Sequence, residues 1–378
     1  MRSLIFLCLL FVAKLSYSVA PPPDSFAPEL KSNSYALMDY TTGNIILSKN
    51  INQKIDPASI TKIMTSYAIY SSIYNKIITI NDKVKISKKS WGMTGSKMFL
   101  NVGKSEKLET LLKGLVVQSG NDAAVALAEH ISGTEQKFVD YMNKLAQHLK
   151  MTNTHYQNAT GMPHKNHKTT VADTLKLSKA LIRDFPQYYK MYKVKEFTYN
   201  NIRQYNRNGL LWQDDKVDGI KTGHTKDAGF CLVASALKNN MRLISVVMGT
   251  KSDLERTRQS KKLLDYGFYN YMSYAVFKAS QNISNIKVYE GEIDTLQLTV
   301  SNTVNVNIKK KDIKSLKAQI KIPKSIIAPI KKYQKVGTLV INLGGKIIAR
   351  YPLVAKQDIP QSGFFSRMID KAYQYFEE

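Results

Sequence analysis

Ser59 and Lys62 stand three residues apart, Ser119 and Asn121 two apart, and Lys221, Thr222 and Gly223 form one run. A serine hydroxyl is a weak nucleophile at neutral pH and needs a base within hydrogen-bond reach. Residues three apart on a helix share a face, so Lys62 can reach Ser59, and a helix start favours negative charge developing there. A lysine acts as a base only when its proton is loosened, which burial and a second cation both do. Lys221 is the natural second cation. Ser119 could relay the proton from Lys62 to a leaving amine, and Asn121 could hold a substrate amide. Thr222 offers a hydroxyl, and Lys221 a charge, to a terminal carboxylate. Gly223 lets a substrate backbone approach a strand edge. The backbone N–H of Ser59, with one from the far strand, would form an oxyanion hole. These residue types point to acyl transfer through a serine ester.

No single motif is selective. Ser-x-x-Lys recurs at Ser235 and Lys238 and at Ser284 and Lys287, and Ser-x-Asn at Ser48 and Asn50 and at Ser280 and Asn282, whereas Lys-Thr-Gly occurs once. Order, spacing and local context carry the argument.

The elements that must position these residues are legible. Pro57 precedes a helical stretch over 59–72, and helices over 108–117 and 122–131 flank the Ser-Gly-Asn turn. Phe138, Met142, Leu145 and Leu149 recur at helical spacing and predict a core face. Strands are predicted over 34–40 and 45–47, joined by the turn Thr41-Thr42-Gly43-Asn44, and over 217–222, 230–237 and 243–248. A helix follows over 254–271. The early hairpin and the later strands can join in one sheet with helices against it. From about residue 283 short alternating runs predict a small all-β domain, ending near Ile359. In the tail, Phe364, Phe365, Met368, Ile369, Ala372, Tyr373 and Phe376 fall on one helical face. Such a helix either lies in a membrane interface or docks on the β domain. The fold class is α+β, divided into a signal peptide (1–18), a catalytic domain (19–277), a β domain (278–359) and an amphipathic tail (360–378).

Composition agrees with export. Arg2 and an apolar run over 4–13 read as a secretory signal, with small residues at Ser16 and Ser18 near the cut. No later segment is long and apolar enough to span a bilayer. An apolar fraction of 43% supports a sizeable core. Loss of Cys8 with the signal leaves Cys231 alone, a core thiol in an apolar run rather than a nucleophile. The net charge of +26 is spread over many lysines, without the aromatic pattern of a nucleic-acid module. It suits solvated faces or an anionic envelope surface, and no nucleic-acid partner is expected. The six histidines are scattered, so neither a metal site nor a cofactor is expected.

The segments Pro57-Ala-Ser-Ile-Thr-Lys62, Val117-Gln-Ser-Gly-Asn-Asp-Ala-Ala124 and Asp218-Gly-Ile-Lys-Thr-Gly-His-Thr225 resemble the low-molecular-mass class C penicillin-binding proteins. These are the D-alanyl-D-alanine carboxypeptidases of bacterial peptidoglycan. Asn158-Ala-Thr-Gly161 and Asn206-Arg-Asn-Gly-Leu-Leu-Trp212 fit as well, and the similarity runs from about Ser34 to Phe268. The resemblance implies a serine β-lactamase/transpeptidase-like fold and removal of the terminal D-Ala from stem peptides ending in D-Ala-D-Ala, with β-lactams as covalent inhibitors. It implies Ser59 as nucleophile, Lys62 as base and Ser119 as relay. Asn121, Lys221, Thr222 and Gly223 would bind substrate, and the N–H of His224 would complete the oxyanion hole. Arg207 and Arg256 match basic positions near the family's site, where a structural ion pair and a substrate contact are both open. The tail is similar in pattern to the family's membrane anchor, which implies a peripheral place on the outer face of the cytoplasmic membrane. A class A β-lactamase shares the three motif types but adds a glutamate that activates the deacylating water. No Glu occurs from His155 to Asp173, and the second motif is Ser-Gly-Asn rather than Ser-Asp-Asn. Efficient penicillin hydrolysis is therefore not expected.

Overall fold

A computed structural model describes residues 27–377, with side chains described as far as Ala372. The expected signal peptide, most of the proline-rich stretch after it, and the side chains of Tyr373 and Phe376 lie outside the described residues.

One antiparallel sheet organises the first two-thirds of the chain. Its order is Ile45–Lys49, Ser34–Asp39, Met241–Thr250, Gly229–Lys238, Val217–Thr225. The early hairpin joins the later strands through Ser34–Asp39, where Leu37 stands opposite Ser245. Period-two alternation explains the two cores. Cys231, Val233, Ile244 and Val246 face a large cluster with the helices Lys62–Tyr74, Asn121–Ser132 and Val171–Asp184. Leu232, Ala234, Leu243 and Val247 face Leu263, Leu264 and Phe268 of the helix Asp253–Asn270 on the other side. Each fully buried Leu or Phe contributes about 1.5–3 kcal/mol relative to exposure. The sheet is therefore pinned from both faces, and Val217–Thr225, which carries Lys-Thr-Gly, is left at one edge.

Two predicted helices differ where chemistry is placed. The helix expected over 59–72 begins as a 3-10 turn, Ala58–Thr61, before the α-helix Lys62–Tyr74. Side chains three apart eclipse in a 3-10 turn, which aims Lys62 at Ser59 more directly than an α-helix would. The helix expected over 108–117 changes at Gly114 into a π turn, Gly114–Gln118. That wider turn ends with Ser119 in the left-handed region, at φ 65. Such strain in a non-glycine residue collects at functional sites.

The second unit is a five-stranded antiparallel sheet, ordered Ser284–Lys287, Thr295–Thr299, Lys346–Ala355, Lys335–Leu343, Leu316–Lys321. Leu296, Leu298, Leu339, Ile341 and Leu353 alternate inward to form its core. The strand Tyr271–Phe277 pairs with Val304–Lys309. That ladder attaches it to the β unit, so the join falls before Tyr271 rather than at 277/278. The tail forms the helix Phe364–Glu377. Asp370 ties it to the β unit by accepting the Glu290 N–H at 2.5 Å. Among the described side chains of its apolar face, Phe364, Phe365, Met368 and Ile369 are 58–82% exposed.

Candidate active site

The three motifs converge on one open cavity of about 950 Å³. Ser59, Ser119, Asn121, Thr222, Gly223 and His224 line it. Lys62 and Lys221 lie beneath its surface, both buried.

Lys62 Nζ lies 3.0 Å from Ser59 Oγ, 2.7 Å from Asn121 Oδ1 and 2.6 Å from the Thr160 carbonyl oxygen. The two oxygens of Asn121 and Thr160 can only accept, so each takes an N–H. The third direction faces Ser59. In the neutral amine that direction is the lone pair, placed to receive the serine's proton. Burial brings the Lys62 amine down to about 7; the Asp122 carboxylate opposes this and the Arg207 guanidinium assists it. Lys221 is pushed well down, first by burial and then by repulsion from Lys62 and Arg256. The cation that assists at Lys62 is therefore Arg207 rather than the expected Lys221, and the repulsion between the lysines is felt at Lys221.

Backbone packing sets this arrangement. Gly161, at φ +87, packs so closely that a Cβ would stand 1.8 Å from the Ala58 carbonyl oxygen. No other residue lets the 158–162 loop bring Thr160 to Lys62. The Lys-Thr-Gly strand packs against the Ser59 turn in the same way: a Cβ on Gly223 would meet the Pro57 carbonyl oxygen at 3.1 Å and the Ala58 Cβ at 3.2 Å. The strand's outer edge is thus held beside Ser59, open for an extended substrate.

The other expected residues lie at or behind the same cavity. Ser119 Oγ is buried beside the cavity and has no hydrogen-bond partner among the described residues. Asn121 serves the protein as well as any substrate: Oδ1 holds Lys62, and Nδ2 donates to the Thr94 carbonyl at 2.6 Å. Arg256 stands behind the strand, donating to the carbonyl oxygens of Gly223 at 3.0 Å and Cys231 at 3.3 Å and pairing with Asp253. It reaches the cavity wall but mainly props the strand. The His224 ring stacks on Phe230 with centroids 3.9 Å apart. Thr222 is buried at the cavity wall.

Family models match in both units. A model described as D-alanyl-D-alanine carboxypeptidase covers residues 20–252, and one described as the C-terminal domain of penicillin-binding protein 5 covers residues 271–361. The chain belongs to the D-alanyl-D-alanine carboxypeptidase family. D-alanyl-D-alanine carboxypeptidase DacC of Escherichia coli (strain K12) is 39% identical over 362 residues, 93% of this chain and 90% of that protein. DacA of the same strain is 41% identical over 352 residues, covering 91% and 87%. Penicillin-binding protein 5 from Haemophilus influenzae superposes with a TM-score of 0.84 at 40% identity, covering 89% of this chain and 100% of that structure. The chain is accordingly a serine-type peptidase with a role in peptidoglycan.

Several supports of this carboxypeptidase site carry no motif. Asp122 accepts hydrogen bonds from the backbone N–H groups of Met98, Phe99 and Leu100, and so stitches the cavity's lip to the Ser-Gly-Asn turn. Its place directly after Asn121 was the available signal. His167 is buried; its Nδ1 accepts from the Gln157 N–H at 3.3 Å, so Nε2 carries the hydrogen and donates to Thr61 Oγ1 at 2.9 Å. Burial pushes this imidazole down to about 4, so it stays neutral while tying the Ser59 turn to the loop of Thr160. Nothing in a lone histidine announces that role.

Proposed function

We propose that the enzyme removes the terminal D-Ala from stem pentapeptides through an acyl-enzyme at Ser59. The observation that carries this reading is the Lys62 amine 3.0 Å from Ser59 Oγ, with the two hydrogens of its neutral form held by the pure acceptors of Asn121 and Thr160. Ser59 Oγ attacks the carbonyl carbon of the penultimate D-Ala while its proton passes to Lys62. The oxyanion is received by the N–H groups of Ser59 and His224. The C–N bond then breaks, and the leaving D-Ala amine takes the proton from Lys62, with Ser119 as the relay. Water next attacks the ester, giving one proton to Lys62, and Ser59 leaves as the alcohol by recovering it. Lys221 and Thr222 hold the terminal carboxylate, and Arg256 stiffens the strand that presents them.

A β-lactam enters the same steps, but its leaving nitrogen stays tethered, so the ester at Ser59 persists. Incubating the purified enzyme with acetylated Lys-D-Ala-D-Ala is expected to release one D-Ala per peptide, read by chromatography of the products. Intact peptide after prolonged incubation would remove the carboxypeptidase reading.

The same proposal places the enzyme outside the cytoplasm, held to the membrane by its tail. The exposed apolar side chains of Phe364, Phe365, Met368 and Ile369 support this; among the described residues no helix is long and apolar enough to cross a membrane. An interfacial helix of this kind buries its apolar face at the headgroup boundary. Deleting residues 363–378 is expected to move the enzyme from the membrane pellet to the supernatant. Unchanged sedimentation with membranes would exclude the helix as anchor.

A further inference from the structure

The two ends of the β unit's sheet differ. At one end Leu316 stands opposite Leu343. Just before Leu316, Lys310 Nζ donates to the Phe268 carbonyl oxygen at 2.8 Å, so this end faces the catalytic domain. At the other end Lys321 stands opposite Thr338 and Lys335 opposite Val354. The segment 321–335 holds Lys321, Lys324, Lys331, Lys332 and Lys335 and no Asp or Glu. All five lysines are exposed, and none forms an ion pair among the described residues. Ile322, Ile327 and Tyr333 stand out between them, 41–55% exposed. Lysines often guard an edge strand, but four of these five lie outside the edge strand Leu316–Lys321.

This surface is held in place beside the tail helix. The Tyr333 N–H donates to the Ala355 carbonyl oxygen at 2.8 Å. The Lys332 N–H donates to Asp358 Oδ1 at 2.8 Å, and Lys332 Nζ stands 5.3 Å over the Tyr333 ring. Ile327 is bridged to Tyr289. The next residue, Glu290, accepts the Ser362 N–H at 2.8 Å and donates its own N–H to Asp370 of the tail helix. One loop therefore grips both the basic segment and the helix.

Apolar and aromatic side chains set among lysines match a phospholipid surface. Their carbon enters the headgroup boundary, and the ammonium groups meet phosphates. The tail cannot supply that attraction: residues 363–378 carry two basic residues, Arg367 and Lys371, against three acidic ones, Asp370, Glu377 and Glu378. Glu292, Asp294 and Asp358 are the exposed acids at this end of the β unit, so lysine remains in excess. We infer that this end of the β unit is a second membrane contact, seated on anionic phospholipid beside the tail helix. This rests on the membrane reading above and adds a lipid preference. Alone the contact is weak and screened by salt, so the tail still decides sedimentation with membranes. Held on one body, the two contacts reinforce each other.

The test measures partition of the full chain onto vesicles of phosphatidylcholine, alone or with one-third phosphatidylglycerol, at low salt. Each lysine close to an anionic surface strengthens binding roughly fivefold. The anionic vesicles are expected to bind on the order of a hundredfold more tightly, the yield of about three engaged lysines. Changing Lys321, Lys324, Lys331, Lys332 and Lys335 together to Gln is expected to cut that ratio to within about threefold. Changing Lys83, Lys85, Lys104, Lys137 and Lys144 of the catalytic domain lowers net charge equally and is expected to keep most of the ratio. Ile327→Ser with Tyr333→Asn is expected to weaken binding to both kinds of vesicle. All these side chains are exposed, so the fold is retained. A ratio that the first five-lysine variant leaves unchanged, or that both reduce equally, overturns this surface and leaves the tail as anchor. Binding confined to anionic vesicles, and lost in the first variant, keeps this surface and overturns the tail. No binding to either kind of vesicle overturns both.

Discussion

Ser59→Ala is expected to abolish both the penicillin adduct and the release of D-Ala. The measurement is the intact mass of the enzyme over time after adding benzylpenicillin. The unaltered enzyme gains one long-lived adduct; the variant gains none. Loss of a nucleophile in a serine enzyme lowers turnover by a factor on the order of 10⁶. The change removes a single oxygen at a partly exposed position. Thermal stability should therefore stay within about 0.5 kcal/mol of the parent. Folding and chemistry are separated by that control. An adduct that persists in the variant would put the nucleophile elsewhere. Rapid penicillin turnover by the unaltered enzyme, with no adduct accumulating, would instead indicate a β-lactamase.

Lys62 gives the second large effect, and its signature is pH dependence. The amine titrates at about 7, and only its neutral form can take the serine's proton. Below that value Lys62 is protonated, so the acylation rate is expected to fall tenfold for each pH unit on the acid side and to level off above it. His167, held down to about 4, does not titrate in this range. The rate of adduct formation from pH 5 to 8 tests this directly, and a flat profile would remove Lys62 as the base. Lys62→Met is expected to lower the plateau by on the order of 10²–10⁴, the usual contribution of a positioned base. It also leaves Asn121 Oδ1 and the Thr160 carbonyl without their donor. Some stability should be lost with the activity, about 1–3 kcal/mol for each acceptor left unsatisfied.

Much of the site was legible because its chemistry is carried by rare combinations. Lys-Thr-Gly occurs once, after Ser-x-x-Lys and Ser-Gly-Asn in one order, and all three line or underlie one cavity. The strands were legible because period-two alternation is a local property: Cys231 and Val233 turn to one core, Leu232 and Ala234 to the other. The departures occur where tertiary contacts overrule local preference. The 3-10 start at Ala58–Thr61 and the π turn at Gly114–Gln118 both lie inside runs that read as ordinary helix. Packing decides them. The Ser59 turn is wedged between Gly161 and Gly223, and a Cβ on Gly114 would stand 2.2 Å from Met98 Sδ.

By itself the sequence determined the family of reactions and singled out the groups proposed here to carry it out. The proposed nucleophile, base and carboxylate-binding strand are singled out by residue type, order and short spacing. The tertiary structure alone decided the environment that lowers Lys62. Lys62 is lowered because the fold buries it against Asn121 and the Thr160 carbonyl, 98 residues further along the chain. The loop of Met98 and the hairpin ending at Tyr205 are likewise joined by the bond from Gln204 Nε2 to the Met98 carbonyl oxygen, between residues 106 apart in sequence. Desolvation and long-range hydrogen bonds depend on residues that meet only after folding, and no local spacing encodes them.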